Sequence, residues 1–282
     1  MKKRTIGKLI LGLVAAVSFG LLTACSGGPK SSGKIIVGTQ ATAAGTTYLD
    51  EKGKLTGFEV EVLKEVDRRI QDVEFEFKTM DFGSLFTELG AKKVDIINSN
   101  LQYNKERAEK YLYSKEIVYR SPYKIVVNED DNVHKSLKDL DGKKVSILPG
   151  LQLATLKKII EDQKLNIEIL PAKSTAEIIA MVKDGRTTAA FMPAHQAYPF
   201  SKFRNAAIKA VGQGYIAQGL TPDQVGAHFL FDKENTPLRD KVDKALAEMR
   251  ADGTLKKLSI EWLGDDYTKP LKLPNTHNDC CP

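Results

Sequence analysis

Residues 58–98, FEVEVLKEVDRRIQDVEFEFKTMDFGSLFTELGAKKVDIIN, change their hydrophobic period three times. Phe58, Val62, Leu63, Val66 and Ile70 fall on one face at the 3.6-residue period, which makes 58–70 an amphipathic helix. Val73, Phe75 and Phe77 then alternate with charged residues at period two, as in a strand with one buried face. FGSLFTELGAKK reads as a second helix closed by Gly90, and VDIIN as another apolar strand. Helix, strand, helix, strand is the rhythm of α/β architecture with mainly parallel sheets.

The rhythm continues on both sides. KIIVGTQ (34–40) is a short apolar strand before the first helix. In the second half KKVSILPG (143–150), NIEILP (166–171) and TTAAFMP (187–193) read as strands. Between them lie helices at 151–163 and 174–185, the latter opened by Ser174 and Glu177 at capping-box spacing. HFLFDK (228–233) leads into a long helix with Pro237 near its start. Two apolar runs ending in charges, YKIVVNEDDN (123–132) and HFLFDKEN (228–235), read as paired crossings between two lobes. That assigns 34–127 to a first lobe, 128–226 to a second, 227–266 to a return into the first and 267–282 to a tail. Two lobes on paired crossings form a hinge, and the cleft between them is a natural ligand site.

The composition is that of a globular protein, 42% hydrophobic and 28% charged. Of the net charge of +6, four charges sit at Lys2, Lys3, Arg4 and Lys8, and no later basic cluster is interleaved with aromatics. Nucleic-acid binding is excluded on that ground. The basic start precedes Leu9–Leu22, an uncharged run too short to span a bilayer, so 1–24 reads as an export signal. Leu22-Thr23-Ala24-Cys25, followed by Ser26-Gly27-Gly28, resembles the bacterial lipobox, which implies removal of the signal and a lipid on Cys25. Residues 25–33 would then be a flexible tether on the outer face of the cell membrane. The alternatives are an ordinary signal with an incidental cysteine, or an N-terminal anchor helix. Cys280 and Cys281, near His277 and Asp279, read as a frayed terminus rather than a metal site, and no metal or cofactor is expected.

Several stretches together resemble the bacterial family-3 extracytoplasmic solute-binding proteins, the amino-acid receptors of ABC importers. They are LTGFEVEVLKEVDRRI (55–70), DFGSLFTELGAKKVDIINSN (81–100), NKERAEKYLYSKEIVYRSPY (104–123), LKDLDGKKVSILPG (137–150) and VDKALAEMRADGTLKKLSIEWLGDD (242–266). The resemblance implies a two-lobed, type II periplasmic-binding-protein-like fold and a monomer. It also implies an amino-acid-like ligand and an ABC permease with a cytoplasmic ATPase as partners.

Alone, Arg107 is either a solvated surface charge or an anion grip. The resemblance makes it the grip for a ligand α-carboxylate, through a planar fork matched to two carboxylate oxygens. Ser99, Asn100 and Gln102 fall on the loop that would add hydroxyl or backbone contacts, or are ordinary loop polarity. Phe82 would pack on the ligand side chain, or is a helix-start core residue. Gly150, Leu151 and Gln152 precede a helix whose first N–H groups suit an anion. Leu151 stands where the family commonly has threonine. Pro193 stands where the family's usual carboxylate meets the ligand ammonium, and Ala43 where an aromatic is common. These departures point to a larger ligand, such as cystine, a γ-linked peptide or another amino-acid derivative. Otherwise Gln40, His195 or Gln196 compensates. The rival functions are a surface adhesin or sensor that retains the fold, and a prephenate-type dehydratase. The second is disfavoured because none of the histidines 134, 195, 228 and 277 stands in a catalytic motif. No catalysis is expected.

Overall fold

The computed structural model describes residues 33–70, 73–217, 220 and 225–271. The export signal, Cys25, the rest of the tether before Gly33, and both tail cysteines lie outside these residues. The chain opens with β1 (Gly33–Thr39) and a small antiparallel sheet of β2 (Thr42–Ala43), β3 (Thr47–Leu49) and β4 (Leu55–Thr56). It continues through α1 (Phe58–Arg69), β5 (Val73–Thr79), α2 (Phe82–Gly90), β6 (Ile96–Gln102), α3 (Lys105–Lys110) and β7 (Tyr111–Tyr113). Next come β8 (Tyr123–Asn128), β9 (Lys144–Ile147), α4 (Leu151–Gln163), β10 (Glu168–Pro171), α5 (Thr175–Lys183), β11 (Ala189–Pro193), α6 (Ala197–Arg204) and β12 (Ile208–Tyr215). It returns in β13 (Ala227–Asp232), α7 (Thr236–Ala251) and α8 (Thr254–Leu263).

Two five-stranded sheets result, ordered β5-β1-β6-β13-β7 and β10-β9-β11-β8-β12. In each, all strands but one run the same way, and the reversed strand is β13 in the first and β8 in the second. The first sheet is covered by α1, α7 and α8 on one face, through Val62, Leu246 and Leu255, and by α2 on the other, through Leu85 and Leu89. The second is covered by α4 through Leu156 and by α5 through Ile178 and Val182.

The boundary between lobes moves relative to the sequence reading. Strand β8, assigned above to the first lobe, pairs with β11 and β12 inside the second sheet. Its Ile125, Val126 and Val127 are buried, as a central strand requires, and the polar NEDDN run begins at its last residue. The outward crossing is therefore at 114–122, before this strand. The return crossing lies beside it: Val118 N–H donates to Ala227 O at 2.9 Å and Ala227 N–H to Tyr119 O at 2.8 Å. A Cβ on Gly226 would lie 2.2 Å from Ile117 Cγ2, so the two crossings touch at a residue with no side chain.

A third contact joins the lobes. Helix α6 of the second lobe places Pro199 over Gly45 and Tyr198 over Gly264 of the first. Phe203 packs 6.1 Å from Tyr48 and 5.8 Å from Trp262, the only tryptophan in the sequence.

Candidate functional site

Helices α2 and α3 start beyond the carboxyl ends of β5 and β6, and Ser99, Asn100 and Gln102, expected on a loop, lie within β6 itself, because its ladder with β13 runs on to Gln102. Asp81 caps α2 by accepting the Ser84 N–H at 3.0 Å, which sets Phe82 at the helix entrance, 37% exposed. Asn104 caps α3 by accepting the Arg107 N–H at 2.9 Å. The Arg107 guanidinium lies 5.6 Å from the Phe82 ring centre and 5.3 Å from that of Phe86, and its charge opposes the rise that burial imposes on the Tyr113 hydroxyl. That hydroxyl accepts the Asn104 N–H at 3.1 Å and donates to Gln102 O at 3.3 Å. Among the described residues no carboxylate pairs with Arg107, whereas Arg69 meets Glu65 and Asp252, and Arg250 meets Glu116. The cation is held in place by aromatic side chains with its charge uncompensated.

Beside it, Ser99 donates its hydroxyl proton to Gln40 Oε1 at 2.8 Å, so these two sequence candidates are neighbours. Asn100 has a left-handed backbone, φ 48°. Both Glu59 carboxyl oxygens lie 3.1 Å from its N–H, and Tyr119 donates to its Oδ1 at 2.7 Å. Glu59 is fully buried in the first turn of α1. Neither Glu59 nor Tyr119 was singled out from the sequence. The signal was present, because Glu59 precedes Val62, Leu63 and Val66 at i+3, i+4 and i+7 and is an acid on the apolar face.

Burial raises the Glu59 carboxyl from 4.5 to about 8, with the Asn100 N–H opposing. The folded value exceeds the unfolded one, so its contribution to stability is whole below pH 4.5, declines above it and is lost through about pH 8. Glu59→Gln should therefore match the wild type at pH 5 and exceed it at pH 9, by on the order of 3 kcal/mol in urea unfolding. Equal pH slopes in the two proteins would contradict this.

On the second lobe Gly150 is the N-cap residue of α4, with φ 112°, and a Cβ there would meet nothing within 4 Å. The first-turn N–H groups of Leu151 and Gln152 lie outside the helical ladder and open on this space. Leu151 is 49% exposed. The Gln152 amide is turned inward and donates to Leu148 O at 3.2 Å, so this residue presents backbone only. Pro193 ends β11 opposite Tyr123. Two residues on, His195 is buried with its ring edge-on to Tyr119 at 5.1 Å. Burial pushes its imidazole down to about 3, so it is neutral, and its Nδ1 has no hydrogen-bond partner among the described residues. Ala43, Thr46, Thr175, His195 and Gln196 line a cavity of about 200 Å³ between the lobes.

The arrangement has a cation and the polar end of β6 on one lobe and a helix N-terminus on the other, both at the carboxyl ends of strands. That is where open α/β sheets hold ligands. Residues 35–265 match the family described as bacterial extracellular solute-binding proteins, family 3. The L-cystine-binding protein TcyK of Bacillus subtilis is 35% identical over 266 residues, covering 90% of this chain and 96% of that protein. TcyJ of the same organism, also named an L-cystine-binding protein, is 34% identical over 273 residues, covering 95% and 98%. The L-cystine solute receptor of Neisseria gonorrhoeae, solved unliganded and open, superposes with a TM-score of 0.67 at 28% identity, covering 85% of this chain and 97% of that one.

Proposed function

Because the chain belongs to family 3 of the bacterial extracellular solute-binding proteins, we propose that it is the receptor of an amino-acid ABC importer, with a ligand of the L-cystine class. The observation that carries this reading is Arg107, held over the rings of Phe82 and Phe86 and left without a carboxylate partner among the described residues. Its fork takes the ligand carboxylate together with the backbone of β6 at Ser99–Asn100. The α4 N-terminus at Gly150–Gln152 closes on the ligand from the second lobe. Closure follows because the ligand touches both lobes only in that state. Chemistry is absent from this role, and transport energy comes from the partner ATPase. A lipid on Cys25 would keep the receptor, as a monomer, beside its permease.

Two departures favour a ligand longer than a small amino acid. Pro193 supplies no counter-charge for an ammonium in the usual place, and Ala43 leaves room where an aromatic wall would stand. The test is a thermal-shift series on the protein starting after Cys25, with L-cystine, the common amino acids, glutathione and dipeptides. A true ligand at a hundred times its Kd stabilises by about 2.7 kcal/mol, a shift of about 5–10 °C. Trp262 lies on the α6 contact between the lobes, so the same compound should change its fluorescence. If no compound shifts the transition, the adhesin or sensor reading replaces this one.

A further inference from the structure

Strand β6 breaks its ladder where it reaches the ligand end of the sheet. Its Ile96, Ile97, Leu101 and Gln102 pair with Phe231, Leu230, His228 and Ala227 of β13, so Asn98, Ser99 and Asn100 stand against Phe229 alone. Both main-chain groups of Phe229 are turned to Ser114 instead. Its N–H donates to Ser114 Oγ at 3.2 Å, and its O accepts the Ser114 N–H at 2.9 Å. On the other edge the ladder with β1 ends at the pair Thr39–Asn98. Ser99 and Asn100 therefore lie in a bulge, a device that re-aims a strand next to a site. Asn100 has φ 48°, a left-handed conformation that costs a non-glycine residue free energy and persists where the surroundings impose it.

Two buried side chains distant in sequence impose it. Glu59, 0% exposed, has both carboxyl oxygens 3.1 Å from the Asn100 N–H, which fixes the plane of the Ser99–Asn100 peptide. Tyr119, 1% exposed, donates to Asn100 Oδ1 at 2.7 Å. Each is anchored in turn. Glu59 sits in the first turn of α1, with its N–H donating to Thr46 O at 3.1 Å. Tyr119 lies on the outward crossing, with its ring edge-on to Phe58 at 5.3 Å. Neither is among the proposed ligand contacts.

We infer that Glu59 and Tyr119 are positioning residues of the receptor site, holding Asn100 in its left-handed turn so that the Ser99–Asn100 backbone meets the ligand carboxylate in a fixed direction. This rests on the amino-acid-receptor reading and deepens it. What position 59 must supply is an acceptor on the apolar face of α1 rather than a charge. Burial raises the Glu59 carboxyl to about 8, so it is largely neutral at pH 7. Tyr119 adds the second constraint from the crossing, so site and hinge share one residue.

The test is calorimetric titration with L-cystine at pH 7, comparing wild type, Glu59→Leu, Glu59→Gln, Tyr119→Phe and Arg107→Ala. Glu59→Leu removes the acceptor while suiting the apolar face. It should weaken binding about tenfold or more, with Tm within about 4 °C of wild type. Glu59→Gln keeps size and acceptor and should bind within about threefold of wild type. Tyr119→Phe keeps the ring on Phe58, loses the hydroxyl and should weaken binding about three- to tenfold. It carries the test alone if Glu59→Leu does not fold. Affinity lost with Tm retained, and restored by glutamine, is a pattern that a purely structural role does not give. Binding within threefold of wild type in both Glu59→Leu and Tyr119→Phe, or an equal loss in Glu59→Leu and Glu59→Gln, overturns the positioning role. The receptor reading stands in either case if Arg107→Ala abolishes binding. If wild type does not bind L-cystine, the same variants are titrated with the compound that the thermal-shift series identifies, and binding of no compound overturns both.

Discussion

Arg107→Ala should lose at least a hundredfold in affinity for a carboxylate ligand, about 3 kcal/mol, through removal of two charge-assisted hydrogen bonds. The guanidinium is half-buried against two aromatic rings, so part of its desolvation precedes the arrival of a ligand. With no carboxylate to satisfy it among the described residues, its charge is available to an incoming anion. Arg107→Lys keeps the charge but not the fork, and should recover only part of the loss. Stability should change little, because a cation over an aromatic ring at a partly exposed site contributes about 0.5–1 kcal/mol. A shift of about 4 °C or less in Tm, combined with the hundredfold loss, separates a binding role from a folding role. Titration giving an affinity within threefold of wild type would remove Arg107 from the site.

The elements that could be read from the sequence were those whose signal is local. The α1 face, the alternation in β5 and the Gly90 stop each need only a few neighbouring residues, and they form at 58–69, 73–79 and 82–90. Arg107 is singled out only through the family resemblance, since its distance from the apolar strand at 96–97 leaves it either a surface charge or an anion grip. What escaped depends on partners distant in sequence. The polar run after Asn128 looks like a linker, yet β8 is central in its sheet because β11 and β12 arrive 60 or more residues later. Gln152 reads as a backbone N–H at a helix start, and that its side-chain amide turns back onto Leu148 O is visible only in the structure. Glu59 holds Asn100 across 41 residues, so the acid on the helical face is visible while its role is not. Phe82 was read as a contact for the ligand side chain, but its ring also orients the cation.

Gly57→Ala should cost about 3 kcal/mol or more, a fall in Tm of about 6–12 °C, and should weaken ligand binding as well. Gly57 has φ 119° and ψ 169°, a region that essentially only glycine occupies. A Cβ there would lie 2.4 Å from Thr46 O and 2.6 Å from Thr46 C, and these are backbone atoms that no side-chain rotation can clear. The same segment caps α1, which has no side-chain cap. Phe58 N–H donates to Gly45 O at 2.8 Å and Glu59 N–H to Thr46 O at 3.1 Å. Displacing Thr46 therefore frees the helix start, moves Glu59 away from Asn100 and loosens the end of β6. Gly90→Ala is the control. It sits in the last turn of α2 with nothing within 4 Å of a Cβ and should change stability by no more than about 1 kcal/mol, in the favourable direction. A Gly57→Ala protein melting within about 2 °C of wild type would mean that the turn at Gly45–Thr46 yields easily. In that case α1 would not be what holds the Ser99–Asn100 end of β6 in place.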